Sequence, residues 1–318
     1  MAYIGEKIKR KDGSEIFIHK WVNDNIDMAD IKGIFQIVHG AAEHAKRYEQ
    51  FAEKLNELGY VVVGDDHSGH GVAAKGDGNL GFFGEENGWN RLVEDEVLIT
   101  KHIIEQYPDK PIILFGHSMG SFISRDYIRV HSHKLDGLVI SGTGNQSKGL
   151  IKLAKLIARS EMKIRGDRHR SVMLDNLSFG KFNDNFKPNR SEFDWLSRDP
   201  DKVDEYITDE KCGFICTTSM FNDLSKGLLS ISNLKTLENC NKSLPILFIS
   251  GTKDPVGDFG KGVRNVFDNY KAAGFDDVSM DLYPNARHEL LNETNRLDIY
   301  LDILKWLNTK SNQFYTHL

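Results

Sequence analysis

Cysteine is scarce in this 318-residue chain, which has three: Cys212, Cys216 and Cys240. An odd, sparse count argues against a disulfide framework and for a reducing compartment. Cys212 and Cys216 stand four apart, but no second pair completes a zinc set. No stretch approaches the roughly 18 apolar residues of a membrane span. Met1 to Lys11 carries charges throughout and lacks the apolar stretch of a secretory signal, so a cytoplasmic location is expected. Repeats and low-complexity tracts are missing. Neither charge dominates, with 41 Lys and Arg against 46 Asp and Glu and a net charge of -5, and nothing points to nucleic acid. The chain does have apolar material: 40% hydrophobic and 27% charged residues are an ordinary globular balance, enough for a large core.

Two short stretches flank the hairpin-type dipeptide Asp12-Gly13. An apolar run from Gly33 to Val38 stops at His39-Gly40. Arg47 to Leu58 reads as a helix, with Tyr48, Phe51, Ala52, Leu55 and Leu58 on one stripe and Gly59 as its stop. Tyr60 to Val63, Ile112 to Phe115 and Leu138 to Ile140 read as strands. Between them, Trp89 to Tyr107 and Met119 to Val130 read as helices. From about Asn145 to Lys242 the strand-helix rhythm is lost and only helical pieces and loops remain. It resumes with a strand at Ile246 to Ile249, a helix at Lys261 to Ala273, a strand at Val278 to Tyr283 and a helix at Thr294 to Leu307. This alternation predicts an α/β fold: a mostly parallel sheet with helices on both faces. Residues 1–144 and 243–318 are expected to form the core, and 145–242 a helical cap over the strand ends, where such sheets bind ligands.

The segment Gly116-His117-Ser118-Met119-Gly120 is a G-x-S-x-G turn between a strand and a helix, the context in which that motif raises a nucleophile. The bland alternative is a glycine-rich turn with an incidental serine. A serine hydroxyl needs a histidine to take its proton, and a carboxylate to orient that histidine. Beyond the helix that follows Ser118, the candidates are His133, His169, His288 and His317. His288 is favoured because it follows a strand on a loop. Asp254, just after the preceding strand and held extended by Pro255, is the favoured carboxylate. Asp258 is its rival, with a helix N-cap as its ordinary role.

Acyl transfer also needs two donors for a developing oxyanion. The N–H of Met119 is one, and the loop from His39 to His44 offers the N–H of Ala41 as the other. His39 and His44 are five apart and lack the spacing of a zinc-binding helix. The cluster Asp65-Asp66-His67-Ser68-Gly69-His70 has metal-type ligands, but reads better as a hydrogen-bonded loop supporting the site. No metal or cofactor is expected.

These motifs, in this order, resemble the α/β-hydrolase family of monoacylglycerol lipases and bacterial lysophospholipase-like serine hydrolases. The carriers are His39 to His44 with Arg47-Tyr48, Asp66 to Gly71, Gly116 to Gly120, Gly251 to Asp254 and Arg287-His288, and the likeness runs from about residue 10 to 308. It implies the triad Ser118, Asp254 and His288, with Ala41 and Met119 as oxyanion donors. Two departures stand out: the family often has arginine where Ser68 stands and glycine where Ser121 stands. The implied activity is cleavage of a lipid ester, a monoacylglycerol or a lysophospholipid. A broad carboxylesterase for short or aromatic esters is the alternative, and a non-catalytic binding module is a third reading. In the cap, Leu150, Leu153, Ala154 and Ile157 fall at helical spacing opposite Lys152, Lys155 and Arg159. Lys148 to Arg170 holds eight Lys or Arg against Glu161 and Asp167. Such a basic amphipathic helix either closes over the pocket or lies peripherally on an anionic membrane.

Overall fold

The computed structural model describes residues 1–74 and 76–314; His317 lies outside them. Eight strands form one sheet: β1 (Ala2–Lys9), β2 (Glu15–Val22), β3 (Gly33–Val38), β4 (Tyr60–Asp65), β5 (Ile112–His117), β6 (Gly137–Ser141), β7 (Ile246–Gly251) and β8 (Val278–Tyr283). Their order is β1-β2-β4-β3-β5-β6-β7-β8. β1 and β2 pair antiparallel around Asp12-Gly13, and β2 pairs antiparallel with β4. Every other pairing is parallel.

Every residue of β3, β4, β5, β6 and β7 is buried, which is why these strands read as apolar runs without alternation. Five helices flank them: α1 (Glu49–Glu57), α2 (Gly88–Gln106), α3 (Met119–His131), α8 (Lys261–Ala272) and α9 (Arg296–Phe314). On one face Ile34, Leu114 and Phe248 pack with Leu92, Ile123 and Val263. On the other, Phe35, Phe115 and Leu247 pack with Phe51, Leu55 and Ile303. Each such fully buried side chain stabilises the fold by about 1.5–3 kcal/mol relative to exposure.

Two helices differ from their expected bounds by more than one residue. The chain enters α1 through a 3-10 turn, Ala45–Tyr48, pinned where the Ala45 N–H donates to Asp66 Oδ1 at 3.0 Å. α9 runs past Leu307 to Phe314, as no glycine or proline follows to stop it.

Between β6 and β7 lie α4 (Lys148–Arg165), α5 (Val172–Ser178), α6 (Pro200–Thr208) and α7 (Thr218–Ile231). Asp199 caps α6 by accepting the Asp201 and Lys202 N–H groups, with Pro200 at the first helical position. α4 packs along α7, and α7 packs back on α2 and α3, which anchors this part of the insertion. The buried positions of α4 are Ile151 and Ala158, while the anticipated stripe of Leu150, Leu153, Ala154 and Ile157 lines the cavity. Leu150 is 67% exposed and Leu153 53%, because they stand at a cavity mouth rather than under a closed lid.

Candidate active site

Ser118 sits between β5 and α3 at φ +52 and ψ -118, a conformation that residues with a Cβ rarely adopt. Close chain approach holds it there. The Ser118 N–H donates to the Ser141 carbonyl of β6 at 3.0 Å, and the Ser121 hydroxyl donates to the Ser118 carbonyl at 2.5 Å. A Cβ at Gly120 would run into the carbonyl oxygens of Val38 and His39, so only glycine lets α3 seat against the end of β3. The turn leaves the Met119 N–H at the helix N-terminus, where the dipole favours negative charge.

His288 follows β8, and its Nδ1 lies 2.9 Å from Asp254 Oδ1, with both side chains buried. Asp254 Oδ1 also accepts the Val256 N–H at 2.9 Å, which fixes the carboxylate. With Nδ1–H donated to Asp254, the other edge of the ring, Nε2, is left to accept a proton. Burial disfavours a charged His288, yet the charge and hydrogen bond of Asp254 outweigh it and hold the group above its ordinary value. His117, its ring 4.7 Å from that of His288, is pushed down to about 4 by burial and by His288, and so stays neutral.

Ser118, Met119, Ala41 and His288 line one cavity of about 1220 Å³. The rival candidates do not take the places of Asp254 and His288. Asp258 does not cap α8, whose N-cap is Gly260; it stands on the cavity wall, while Asp254 takes His288. The N-cap reading of Asp258 fails because Asp258 and Phe259, both at positive φ, carry the chain two residues further before the helix begins. His133 lies in an exposed turn before β6, and His169 beside Arg165.

The loop 39–44 lies against the nucleophile: a Cβ at Gly40 would stand 3.2 Å from Ser118 Cβ. His39 Nε2 accepts the His67 N–H at 3.0 Å, so the proton of this ring sits on Nδ1 and is donated to the Gly40 carbonyl at 2.7 Å. Burial and the nearby His67 keep His39 neutral, far below its ordinary value. In a planar trans peptide the next N–H points opposite to that carbonyl, which turns the Ala41 N–H away from His39. Among the described residues, neither the Ala41 nor the Met119 N–H has a protein acceptor.

A buried ion cluster that the sequence reading missed braces this loop against His288. Glu43 accepts the Gly40 N–H at 2.5 Å and the Tyr48 hydroxyl at 2.8 Å. Arg47 donates to Glu43 at 2.7 Å and forks onto Glu289 at 2.6 and 2.7 Å. Burial would raise the Glu289 carboxyl, but Arg47 wins and lowers it to about 2. Arg47-Tyr48 was noted in the sequence, but nothing local marks Glu289 as the partner of Arg47.

The Asp65 to His70 loop supports the site as anticipated. Asp66 accepts the Ala45 and Val72 N–H groups at 3.0 and 2.7 Å, and His19 Nε2 lies 3.1 Å from it. Ser68, one of the two departures, accepts from Arg10 at 3.3 Å. Three possible metal ligands converge twice, at Asp65, His67 and Glu96 and at His44, Asp209 and Cys212. In the first, His67 Nδ1 is engaged by Asp65 at 3.0 Å and Nε2 by the His39 carbonyl at 3.2 Å. In the second, His44 Nε2 is bound to Asp209 at 2.8 Å, and burial holds Cys212 as the thiol, a poor ligand.

A family model described as serine aminopeptidase, S33, matches residues 29–295. The monoacylglycerol lipase of Mycolicibacterium smegmatis is 25% identical over 299 residues, 93% of each chain. The monoglyceride lipase of Mus musculus is 24% identical over 291 residues, 89% of this chain and 82% of its own. A thermostable carboxyl esterase from Bacillus coagulans superposes with a TM-score of 0.88 at 30% identity, over 98% of this chain and 99% of its own. The match over most of its length, on a fold of parallel strands with a serine at the sharp turn, means that the chain belongs to this S33 family of α/β-hydrolases.

Proposed function

We propose that this chain hydrolyses carboxylic esters through an acyl-enzyme on Ser118. His288 takes the serine proton on Nε2 as Ser118 Oγ attacks the ester carbon, and Asp254 stabilises the imidazolium that forms. The N–H groups of Ala41 and Met119 receive the oxyanion. His288 then passes its proton to the leaving alcohol, and water repeats the cycle on the acyl-enzyme. No step calls for a cofactor. The observation that carries this reading is the convergence on one cavity of Ser118, the Asp254-oriented His288 and two unpaired N–H groups.

The substrate we favour is a single-chain lipid ester, a monoacylglycerol or else a lysophospholipid. The cavity is larger than an ordinary small-molecule site, and Phe122, Ile157, Phe179, Trp195 and Leu228 give it apolar walls. Relatives named for monoglyceride cleavage support the same choice. A broad carboxylesterase is the second reading, favoured by the likeness to the Bacillus coagulans enzyme. Labelling with a fluorophosphonate tests the nucleophile: no label on the wild type, or a label that survives Ser118→Ala, sinks it. An ester chain-length series separates the two readings, with long acyl glycerides favoured over short esters for a lipase.

We assign residues 145–242 as a cap on a core of 1–144 and 243–318. The location we propose is cytoplasmic, with peripheral membrane contact through the cap. No helix among the described residues is long and apolar enough to cross a membrane. Leu150, Leu156 and Ile164 of α4 stand exposed beside Lys152 and Arg159, as do Val172 and Leu177 of α5, which suits an anionic lipid surface. Liposome sedimentation left unchanged by Glu at Lys152, Lys155 and Arg159 would remove the membrane role.

A further inference from the structure

Ala42, next to the proposed oxyanion donor, sits in the left-handed region at φ +54, a strained position for a residue with a Cβ. Its carbonyl accepts two hydrogen bonds, and both donors come from the insertion between β6 and β7. One is the Tyr206 hydroxyl of α6 at 3.0 Å, and the other is the Gly213 N–H at 3.0 Å. Tyr206 is 5% exposed, and its ring faces the Arg47 guanidinium at 4.8 Å, above the Glu43–Arg47–Glu289 cluster. A further tie links Asp209, just past α6, to His44 at 2.8 Å. The insertion also touches the other half of the machinery: the Trp195 and Leu196 carbonyls accept the His288 and Glu289 N–H groups at 3.3 and 2.7 Å.

We propose that Tyr206 is a positioning residue and that docking of segment 206–213 sets the oxyanion loop. With Tyr206 and Gly213 on its carbonyl, Ala42 is held left-handed and the Ala41 N–H stays aimed at the oxyanion. When the segment lifts, the Ala42 carbonyl loses both of these partners, and the Ala41 donor swings away. The insertion then governs the chemical step as well as access to the cavity. This rests on the hydrolase reading above.

Tyr206→Phe keeps the ring over Arg47 and removes only the hydroxyl. The expected result is a fall in kcat of about tenfold, with KM within about twofold and an unchanged melting midpoint. Ala42→Gly removes the strain of the left-handed backbone, so in that background Tyr206→Phe should lower kcat by about threefold or less. An equal fall in both backgrounds, a change in KM alone, or no fall overturns the proposal. Should Tyr206→Phe not fold, Asp209→Asn loosens the same segment by a different bond. It is judged by the same criterion, a kcat loss that shrinks in the Ala42→Gly background. Failure of the hydrolase reading looks different: the wild-type protein would then show no Ser118-dependent turnover or label at all.

Discussion

His288 and His67 are both buried, and each holds a carboxylate at Nδ1, at 2.9 Å to Asp254 and 3.0 Å to Asp65. Burial opposes the charge of each, and in each case the carboxylate outweighs it and raises the group above its ordinary value. They differ at Nε2. In His288 that edge serves the cavity that Ser118 lines, whereas in His67 it is spent on the His39 carbonyl at 3.2 Å. Both nitrogens of His67 therefore face acceptors, and the ring works as a brace beneath the oxyanion loop. A His-carboxylate pair is thus no evidence of a base until the other nitrogen is accounted for. His39 stacks on His67 with ring centroids 3.8 Å apart, so the second pair serves the site at one remove.

The sharpest way to break this comparison is to remove each carboxylate effect in turn. Asp254→Asn leaves the shape of the site but lets His288 take the wrong tautomer, and kcat should fall by about 10⁴-fold with little change in melting midpoint. A loss of tenfold or less, measured on a long-chain ester, would mean that His288 is not oriented through Asp254. His67→Phe should act in the opposite column. It strands Asp65 beside Glu96 in a fully buried site, which should destabilise the fold by about 3–5 kcal/mol in denaturant unfolding. Burial, and then Asp65, hold the Glu96 carboxyl well above its ordinary value, and a carboxyl offers Asp65 no countercharge in either state. A His67→Phe protein of wild-type stability would show that the His67–Asp65 pair does not brace the fold.

The difference between these two pairs explains what the sequence could and could not reveal. Strands β3 and β8 coincide with the expected Gly33 to Val38 and Val278 to Tyr283, because apolar runs and their stops are local signals. Ser118, Asp254 and His288 were reachable because each follows a strand, in the chain order usual for this fold. The Asp65 to His70 stretch reads as a supporting loop, but what His67 braces was not reachable, since its partners beyond Asp65 are not local. Only Glu96 and the His39 carbonyl, brought in by folding, decide it. The same holds for Arg47, whose partner Glu289 lies 242 residues away. In α4, helical spacing identified an apolar stripe, but whether that stripe is covered depends on α7 and the cavity mouth, which no periodicity encodes.

The pH dependence sharpens the comparison further, since one group titrates in two observables with opposite sign. His288 must be neutral to act, so kcat/KM should fall about tenfold per unit below its folded value, with the half-point above 6.5. Stability runs the other way. A raised histidine favours the folded state fully below its ordinary value of 6.5, and that contribution is lost as pH rises through the folded value. Both His288 and His67 contribute to this loss, but only His288 shapes the activity profile. An acid limb with its half-point below 6.5 would mean that Asp254 does not hold the imidazolium as its geometry implies.

His70 completes the set and should give the smallest effect. It is as buried as the other two, in the same loop as His67, with ring centroids 6.2 Å apart, yet it has no carboxylate at either nitrogen. Its Nδ1 meets only the Ser68 carbonyl at 3.3 Å, and its Nε2 is buried without a partner among the described residues. Burial, and then His67, push it down to about 3, so it is neutral at any working pH. Its ring packs between Phe83 and Phe214, at centroid distances of 5.9 and 5.3 Å, an environment made for an aromatic rather than a charge. His70→Phe removes an unsatisfied buried nitrogen and keeps the ring, so stability should change by about 1 kcal/mol or less in either direction. The acid limb of the activity profile should stay where it is, because no charge is removed. A loss as large as that for His67→Phe would show that His70 carries a proton or a ligand in solution, and that the carboxylate partner is not what separates the three histidines.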